Sequence, residues 1–78
     1  MTLEIISPSE VLFKGKAESV TLPGEMGSFT VLKNHASLIS VLTPGSILYR
    51  AEDGKEVSVD IKGGIVDVDN NIVSVCVY

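Results

Sequence analysis

The segment DGKEVSVDI, residues 53–61, carries the clearest structural signal in the chain. Its second half alternates apolar and polar residues, which places Val57, Val59 and Ile61 on one face of a strand. Asp53-Gly54 precedes this run and is typical of a hairpin, because a type I′ turn needs positive φ at both central residues. The segment therefore predicts a β-hairpin with one buried face.

The same alternation recurs on both sides of this segment. Val66 and Val68 alternate with aspartates, residues 73–77 place three valines on one face, and branched side chains of this kind favour strands. Residues 34–42 have ambiguous apolar spacing and could form a helical turn capped by Asn34, but we expect a strand there. Turn signals separate the runs at short intervals: Ser7-Pro8-Ser9, Pro23-Gly24, Lys33-Asn34, Thr43-Pro44-Gly45, Asp53-Gly54, Gly63-Gly64 and Asp69-Asn70-Asn71. The pattern predicts an all-β fold, an antiparallel β-sandwich of roughly nine to ten short strands, as a single domain over residues 1–78.

Composition narrows the function classes. A chain of 78 residues buries only roughly 60% of its unfolded surface, so its core is thin. Yet 45% of the residues are apolar. Either the sheets are unusually well filled, or apolar surface is kept for a partner. The net charge is −4 and the six basic residues are scattered, which argues against nucleic acid and against an anionic membrane surface as partners.

Catalytic and ligand-binding motifs are missing from the sequence. His35 is the only histidine, no nucleophile motif surrounds any serine, and no clustered ligands suggest a metal. The glycines at 24 and 27 lack the lysine of a phosphate-binding loop. The single cysteine, Cys76, is expected to be a small buried hydrophobic residue in the last strand. We therefore expect no catalysis, no cofactor and no small-molecule substrate. The N-terminus lacks the features of a secretory signal and no apolar stretch is long enough for direct membrane insertion.

Residues 20–38 read VTLPGEMGSFTVLKNHASL, the most informative stretch for function. They combine a strand, a Pro-Gly turn, a glycine-containing loop, a second apolar strand, and a turn that ends in His-Ala and a leucine. This order closely resembles the signature of the epsilon subunit of F-type rotary ATP synthases. Further agreement lies in ISP at 6–8, VLFKG at 11–15, TPG at 43–45, GGIVDV at 63–68 and NNIVSV at 70–75. The resemblance runs from Leu3 to about Val77.

The resemblance implies a mechanical role. The domain looks like the β-sandwich at the foot of the central stalk, which packs on the gamma subunit and sits on the polar loops of the membrane rotor ring of c subunits. It would turn with them and couple proton transport to ATP synthesis without being catalytic. The implied location is peripheral, on the cytoplasmic face of the bacterial inner membrane, as part of the ATP synthase complex.

Individual contact residues also follow from the resemblance. The implied gamma-facing residues are Ser7, Leu12, His35, Leu38 and Ser40. The implied ring contacts come from one loop, Glu25, Met26, Gly27 and Ser28. The chain departs from the family in two places: members often have a glutamate at the position of Ser28 and a Pro-Gly at Lys33-Asn34.

A larger departure concerns regulation. Many members carry a C-terminal helical hairpin that inhibits ATP hydrolysis, whereas this sequence stops at Tyr78, directly after the last expected strand. We therefore expect coupling without that inhibition and without nucleotide binding. The alternative function is a lipoyl or biotinyl carrier domain with a modified lysine at a hairpin tip. The candidate tips are Asp53-Gly54-Lys55 and Lys33-Asn34, and neither lysine has the usual flanking residues. A small hydrolase built around His35 is a third hypothesis.

Overall fold

The computed structural model describes residues 1–78 and contains eight β-strands and no helix. The all-β prediction is confirmed, with eight strands in place of the nine to ten expected. The strands are β1 (Thr2–Ile6), β2 (Val11–Gly24), β3 (Gly27–Leu32), β4 (Leu38–Leu42), β5 (Gly45–Ala51), β6 (Glu56–Ile61), β7 (Gly64–Asp69) and β8 (Ile72–Val77). The strand expected over 34–42 begins only at Leu38, because Asn34 has a φ of 63° and lies in a turn.

The strands form two facing layers that share the long strand β2. Layer A has the order β4-β7-β8-β1 and ends on the first half of β2, which pairs with β1. Layer B consists of β3, the second half of β2, β5 and β6. A single pairing, Gly24 with Leu42, connects the two layers again at β4. The pairings are antiparallel except for β1 with β8, which run parallel; this departs from the purely antiparallel sandwich that was expected.

The core lies between the layers and is built by the alternation seen in the sequence. Leu3 and Val75 of layer A and Leu22 and Ile47 of layer B have at most 1% of their surface exposed. They belong to one cluster of 16 buried residues that draws on both layers. Fully burying a side chain of this size stabilises the fold by about 1.5–3 kcal/mol. No polar or charged residue is buried.

Two details of the turns differ from expectation. The hairpin at Asp53-Gly54 exists, but its loop spans residues 52–55 and only Gly54 has positive φ, so it is not the type I′ turn expected there. Instead Asn70 and Asn71, with φ of 49° and 61°, form a two-residue connection between β7 and β8. Positive φ at both central residues is the signature of type I′. The turn expected at Pro23-Gly24 lies two residues later, at residues 25–26.

The prediction that Cys76 is buried is wrong. The cysteine is exposed, whereas its neighbours Val75 and Val77 are buried. Adjacent residues of a strand point to opposite sides of the sheet, and the two valines occupy the inner side. Cys76 therefore lies on the outer face of layer A.

Candidate interaction surface

The polar side chains of this domain do not assemble into a reactive centre. His35 Nδ1 lies 2.7 Å from the carbonyl oxygen of Ala36, and because a carbonyl only accepts, Nδ1 is the donor and carries the proton. No group of three or more His, Cys, Asp and Glu side chains is arranged to hold a metal ion. The structure contains no helix that is long and apolar enough to cross a membrane.

The most distinctive surface is an apolar row that crosses layer A from edge to edge. Neighbouring strands place one outward-facing apolar residue each at the same level, because Val41 pairs with Ile65, Ile65 with Cys76, Cys76 with Ile6 and Ile6 with Val11. We call these five residues the cross-strand row. Val11, Ile65 and Val41 keep 60%, 50% and 47% of their surface exposed. Such a continuous apolar strip on an outer face is typical of an interaction site.

The next level is polar on β7, β8, β1 and β2, whereas β4 places the exposed Ile39 there, opposite Asp67. Asp67 of β7 pairs with Ser74 of β8, which pairs with Glu4 of β1, and Glu4 pairs with Lys14 of β2. Glu4 and Lys14 also approach to 3.8 Å as an ion pair. Asp67 has no cationic partner, since the only other ion pair in the domain joins Arg50 to Glu56. The polar level beside the row thus carries the unpaired Asp67 on β7 and the basic Lys14 on β2.

The outer face of layer B has a different character. Thr21 and Thr30 hydroxyls lie 2.8 Å apart, and Ser46 donates to Asp60 at 2.6 Å. Arg50 donates to Glu56 at 2.7 Å, and this hydrogen bond is the main reason that the pKa of Arg50 is raised. These six side chains are paired among themselves, so they offer little that a partner would have to satisfy.

Two of the predicted gamma-facing residues line a groove at one end of layer A. Ser7 and Leu12 border a groove of about 560 Å³ together with Ile61, Val77 and Tyr78. A β-bulge between Ile5 and Ile6 shifts the register there and leaves Val11 and Leu12, consecutive apolar residues, both exposed. Bulges re-aim side chains in this way. The groove therefore continues the cross-strand row at its β2 end.

The predicted ring-contact loop projects from the edge of the domain between β2 and β3. Met26 is 99% exposed at its tip, beside the exposed residues Glu25, Gly27 and Ser28. The Glu25 N–H donates to the carbonyl of Val41 at 3.0 Å, and Gly27 adopts a φ of 121° that favours glycine. The base of the loop is therefore fixed to the strand that begins the cross-strand row.

His35, another of the predicted gamma-facing residues, lies at the opposite end of layer A from the groove. Its loop is tied to the β7–β8 turn, because the Asn34 N–H donates to Asn71 Oδ1 at 2.6 Å and Asn71 Nδ2 donates to Asn34 Oδ1 at 3.0 Å. Ser37 Oγ also donates to Asp69 Oδ1 at 2.7 Å. We call these three hydrogen bonds the loop clasp. His35 is half-buried beside it.

Leu38 and Ser40 share the inner side of β4. They pair with Val68 and Val66, which are buried, and Leu38 packs against the core. The outward residues of the same strand are Ile39, 74% exposed, and Val41. The five predicted gamma contacts thus lie at two ends and on the inner side of layer A, and their role as contacts stays a prediction.

Sequence reasoning missed the cross-strand row. Ile6, Ile65 and Cys76 were each visible as apolar residues beside polar ones, but their alignment depends on the pairing of distant strands. The one available signal was the surplus of apolar residues over what a thin core requires.

Comparisons with known proteins agree on one family. The family model described as "ATP synthase, Delta/Epsilon chain, beta-sandwich domain" matches residues 1–78. The ATP synthase epsilon chain of a Nitratiruptor species is 48% identical over 71 residues, covering 91% of this chain and 55% of that protein. The epsilon chain of Sulfurimonas denitrificans is 48% identical over 77 residues, covering 99% of this chain and 59% of that protein. The chain therefore spans little more than half the length of these relatives.

Solved structures give the same result for the fold. A chain in the Euglena gracilis mitochondrial ATP synthase, described as OSCP/F1/c-ring in rotational state 1, superposes with a TM-score of 0.90 at 25% identity and covers 96% of this chain and 48% of that one. A chain in the central stalk/c-ring structure from Tetrahymena thermophila superposes with a TM-score of 0.84 at 19% identity, with 97% and 61% covered. The second match supports the fold alone.

Proposed function

The chain belongs to the β-sandwich domain family of ATP synthase delta and epsilon chains, and we propose that it is a non-catalytic central-stalk subunit of an F-type proton-translocating ATP synthase. In this role it binds the gamma subunit with one surface and the loops of the c-subunit rotor ring with another. It turns with both and couples proton transport to ATP synthesis. Its place is peripheral, on the cytoplasmic face of the bacterial inner membrane.

The observation that carries the proposal is the cross-strand row. When a partner covers a half-exposed aliphatic side chain, the surface that is still exposed becomes buried, which stabilises the complex by about 1 kcal/mol per residue. Three of the five residues, Val11, Ile65 and Val41, are about half exposed and would together contribute about 3 kcal/mol, whereas association costs about 4 kcal/mol or more. The row therefore supports a stable complex only together with neighbouring contacts. The groove with Ser7 and Leu12 adjoins it and supplies that additional area.

A second contact is needed to pass torque, and the Glu25–Ser28 loop suits it. Met26 is a flexible, polarizable side chain that adapts to irregular surfaces, and it is almost entirely exposed. The hydrogen bond from Glu25 to Val41 holds this loop against one end of the cross-strand row. A load applied to the loop would thus reach the gamma-binding surface through a short, hydrogen-bonded path.

The test is a binding measurement between this domain and the gamma subunit of the same organism. Ile65→Asp puts a charge in the centre of the row, and burying an unpaired carboxylate costs several kcal/mol. We expect at least a hundredfold weaker binding, because each 1.4 kcal/mol is about tenfold. Leu48→Asp is the matched control, since Leu48 is similarly exposed, at 43%, but lies on the outer face of layer B.

Circular dichroism should show the same β spectrum for both variants. If gamma binds the two variants equally well, the cross-strand row is not the docking surface. If gamma fails to bind the unsubstituted domain, the proposed function itself is wrong.

A further inference from the structure

The direction of the cross-strand row restricts the kind of element that can cover it. On one side of the row, the next outward residue of each of the three central strands is polar. Asp67 lies beside Ile65, Ser74 beside Cys76 and Glu4 beside Ile6. The apolar strip therefore runs across these strands and has a polar border on the side of Asp67, whereas the exposed Tyr78 extends it beyond Cys76 on the other side. Accepting the proposed function, we infer that gamma covers this row with an amphipathic α-helix that lies across the strands of layer A.

A sheet packed face to face would fit this surface poorly. Aligned sheets keep their strands within about 30° of each other, so partner strands would follow the strands of layer A. They would bury Asp67 and Glu4 along with Ile65 and Ile6. Burying a carboxylate without a partner is costly, and Asp67 has no cation in this domain to pair with. A narrow element that crosses the strands covers the apolar level and leaves the polar level at its edge.

The spacing of the row matches that of a helix. Neighbouring strands lie about 4.8 Å apart, and an α-helix rises about 5.4 Å per turn. One side chain per helical turn therefore meets one strand of layer A. The central residues Ile65, Cys76 and Ile6 lie on three consecutive strands, so they correspond to two turns, and Val41 adds a third. An apolar residue at every third or fourth position is the usual stripe of an amphipathic helix.

The charges beside the row give the helix an orientation. Asp67 is unpaired on β7, whereas Lys14 lies three strands away on β2. At about 4.8 Å per strand these positions are about 14 Å apart. A flanking Lys or Arg of the helix opposite Asp67 would satisfy the unpaired carboxylate. An acidic residue about three turns away would face Lys14, and the reversed helix would place like charges together.

The experiment maps gamma residues that lie against each position of the row. Four forms of the domain carry a benzophenone-maleimide label on one cysteine: native Cys76, or a cysteine replacing Val41, Ile65 or Ile6 in a Cys76→Ser background. Each is bound to gamma, irradiated and analysed by mass spectrometry. We expect adducts within a single gamma segment, moving by three to four residues per step in the order 41, 65, 76, 6. A label at Ser58→Cys, on the outer face of layer B, should give no adduct in that segment.

The outcomes separate the inference from the function on which it rests. Adducts that move by two residues per step, or that fall in several distant segments, would overturn the helix while leaving gamma binding intact. A domain that forms no complex with gamma in its unlabelled form would overturn the proposed function. Asp67→Lys tests the orientation: we expect about tenfold weaker binding, and unchanged binding would refute the opposing cation. Glu52→Lys, in the β5–β6 loop of layer B, should bind as the unsubstituted domain does.

Discussion

Replacing Asn71 by alanine should destabilise the domain far more than replacing Asn70. Both residues have positive φ in the β7–β8 turn, where an alanine costs about 1 kcal/mol or more. Asn71 alone also makes two side-chain hydrogen bonds with Asn34, at 2.6 and 3.0 Å. Each is worth about 0.5–1.5 kcal/mol, and solvent exposure favours the lower part of this range. We expect Asn71→Ala to cost about 1–2 kcal/mol more than Asn70→Ala.

Thermal unfolding followed by circular dichroism measures this difference. For a domain of this size, 1 kcal/mol lowers the Tm by about 4–8 °C, so Asn71→Ala should melt at least about 4 °C below Asn70→Ala. Asn34→Ala completes the comparison, because it shares the side-chain bond and should be non-additive with Asn71→Ala. If Asn70→Ala and Asn71→Ala unfold at the same temperature, the two Asn34–Asn71 hydrogen bonds of the loop clasp contribute nothing and this reasoning is refuted.

Two further predictions concern the core. A Cβ on Gly64 would overlap the backbone carbonyl of Cys76 on β8, which no rotamer change can relieve, so Gly64→Ala should lower the free energy of unfolding by about 3 kcal/mol. Gly54→Ala meets no atom and should cost only about 1 kcal/mol of backbone strain; equal urea midpoints would contradict this. Burial raises the pKa of Tyr49, so the folded state holds this proton more tightly than the unfolded state does. The contribution of this proton to the free energy of unfolding is fully present below the unfolded pKa of about 10. It is lost as the pH rises above that value, because the unfolded state then releases the proton more readily. The melting temperature of Tyr49→Phe should fall less steeply above pH 10 than that of the unsubstituted domain or of Tyr78→Phe, and identical slopes would exclude the effect.

Local pattern predicted which residues face the core in most strands. Val57 and Val59 pack against it, and Val66, Val68 and Val73 are buried. The prediction failed at Cys76, where the usual burial of cysteine was preferred over the alternation that placed it opposite Val75 and Val77. Periodicity was the better guide because the side chains of a strand must alternate whatever their type.

Turn chemistry was only partly visible in the sequence. Asp-Gly is a strong signal for a type I′ turn, yet the loop at residue 53 is four residues long and Asp53 Oδ1 accepts from the Lys55 N–H at 2.9 Å. The tight turn formed at Asn70-Asn71, because asparagine tolerates positive φ and the register of β7 with β8 leaves only two residues between the strands. Turn type depends on where the strands stop pairing, and that is a property of the sheet.

The amino-acid sequence by itself determined the all-β class, most inward-facing residues and the family, because alternation, turn residues and an ordered motif are local properties. Only the tertiary structure decided which exposed residues form a common surface. Val11, Val41 and Cys76 are far apart in the chain, yet the registers of β4 with β7, β7 with β8, β8 with β1 and β1 with β2 bring them to one level. A slip of one residue in any of these pairings would turn that strand's side chains to the other face. The cross-strand row therefore exists only through long-range pairing, which no local pattern encodes.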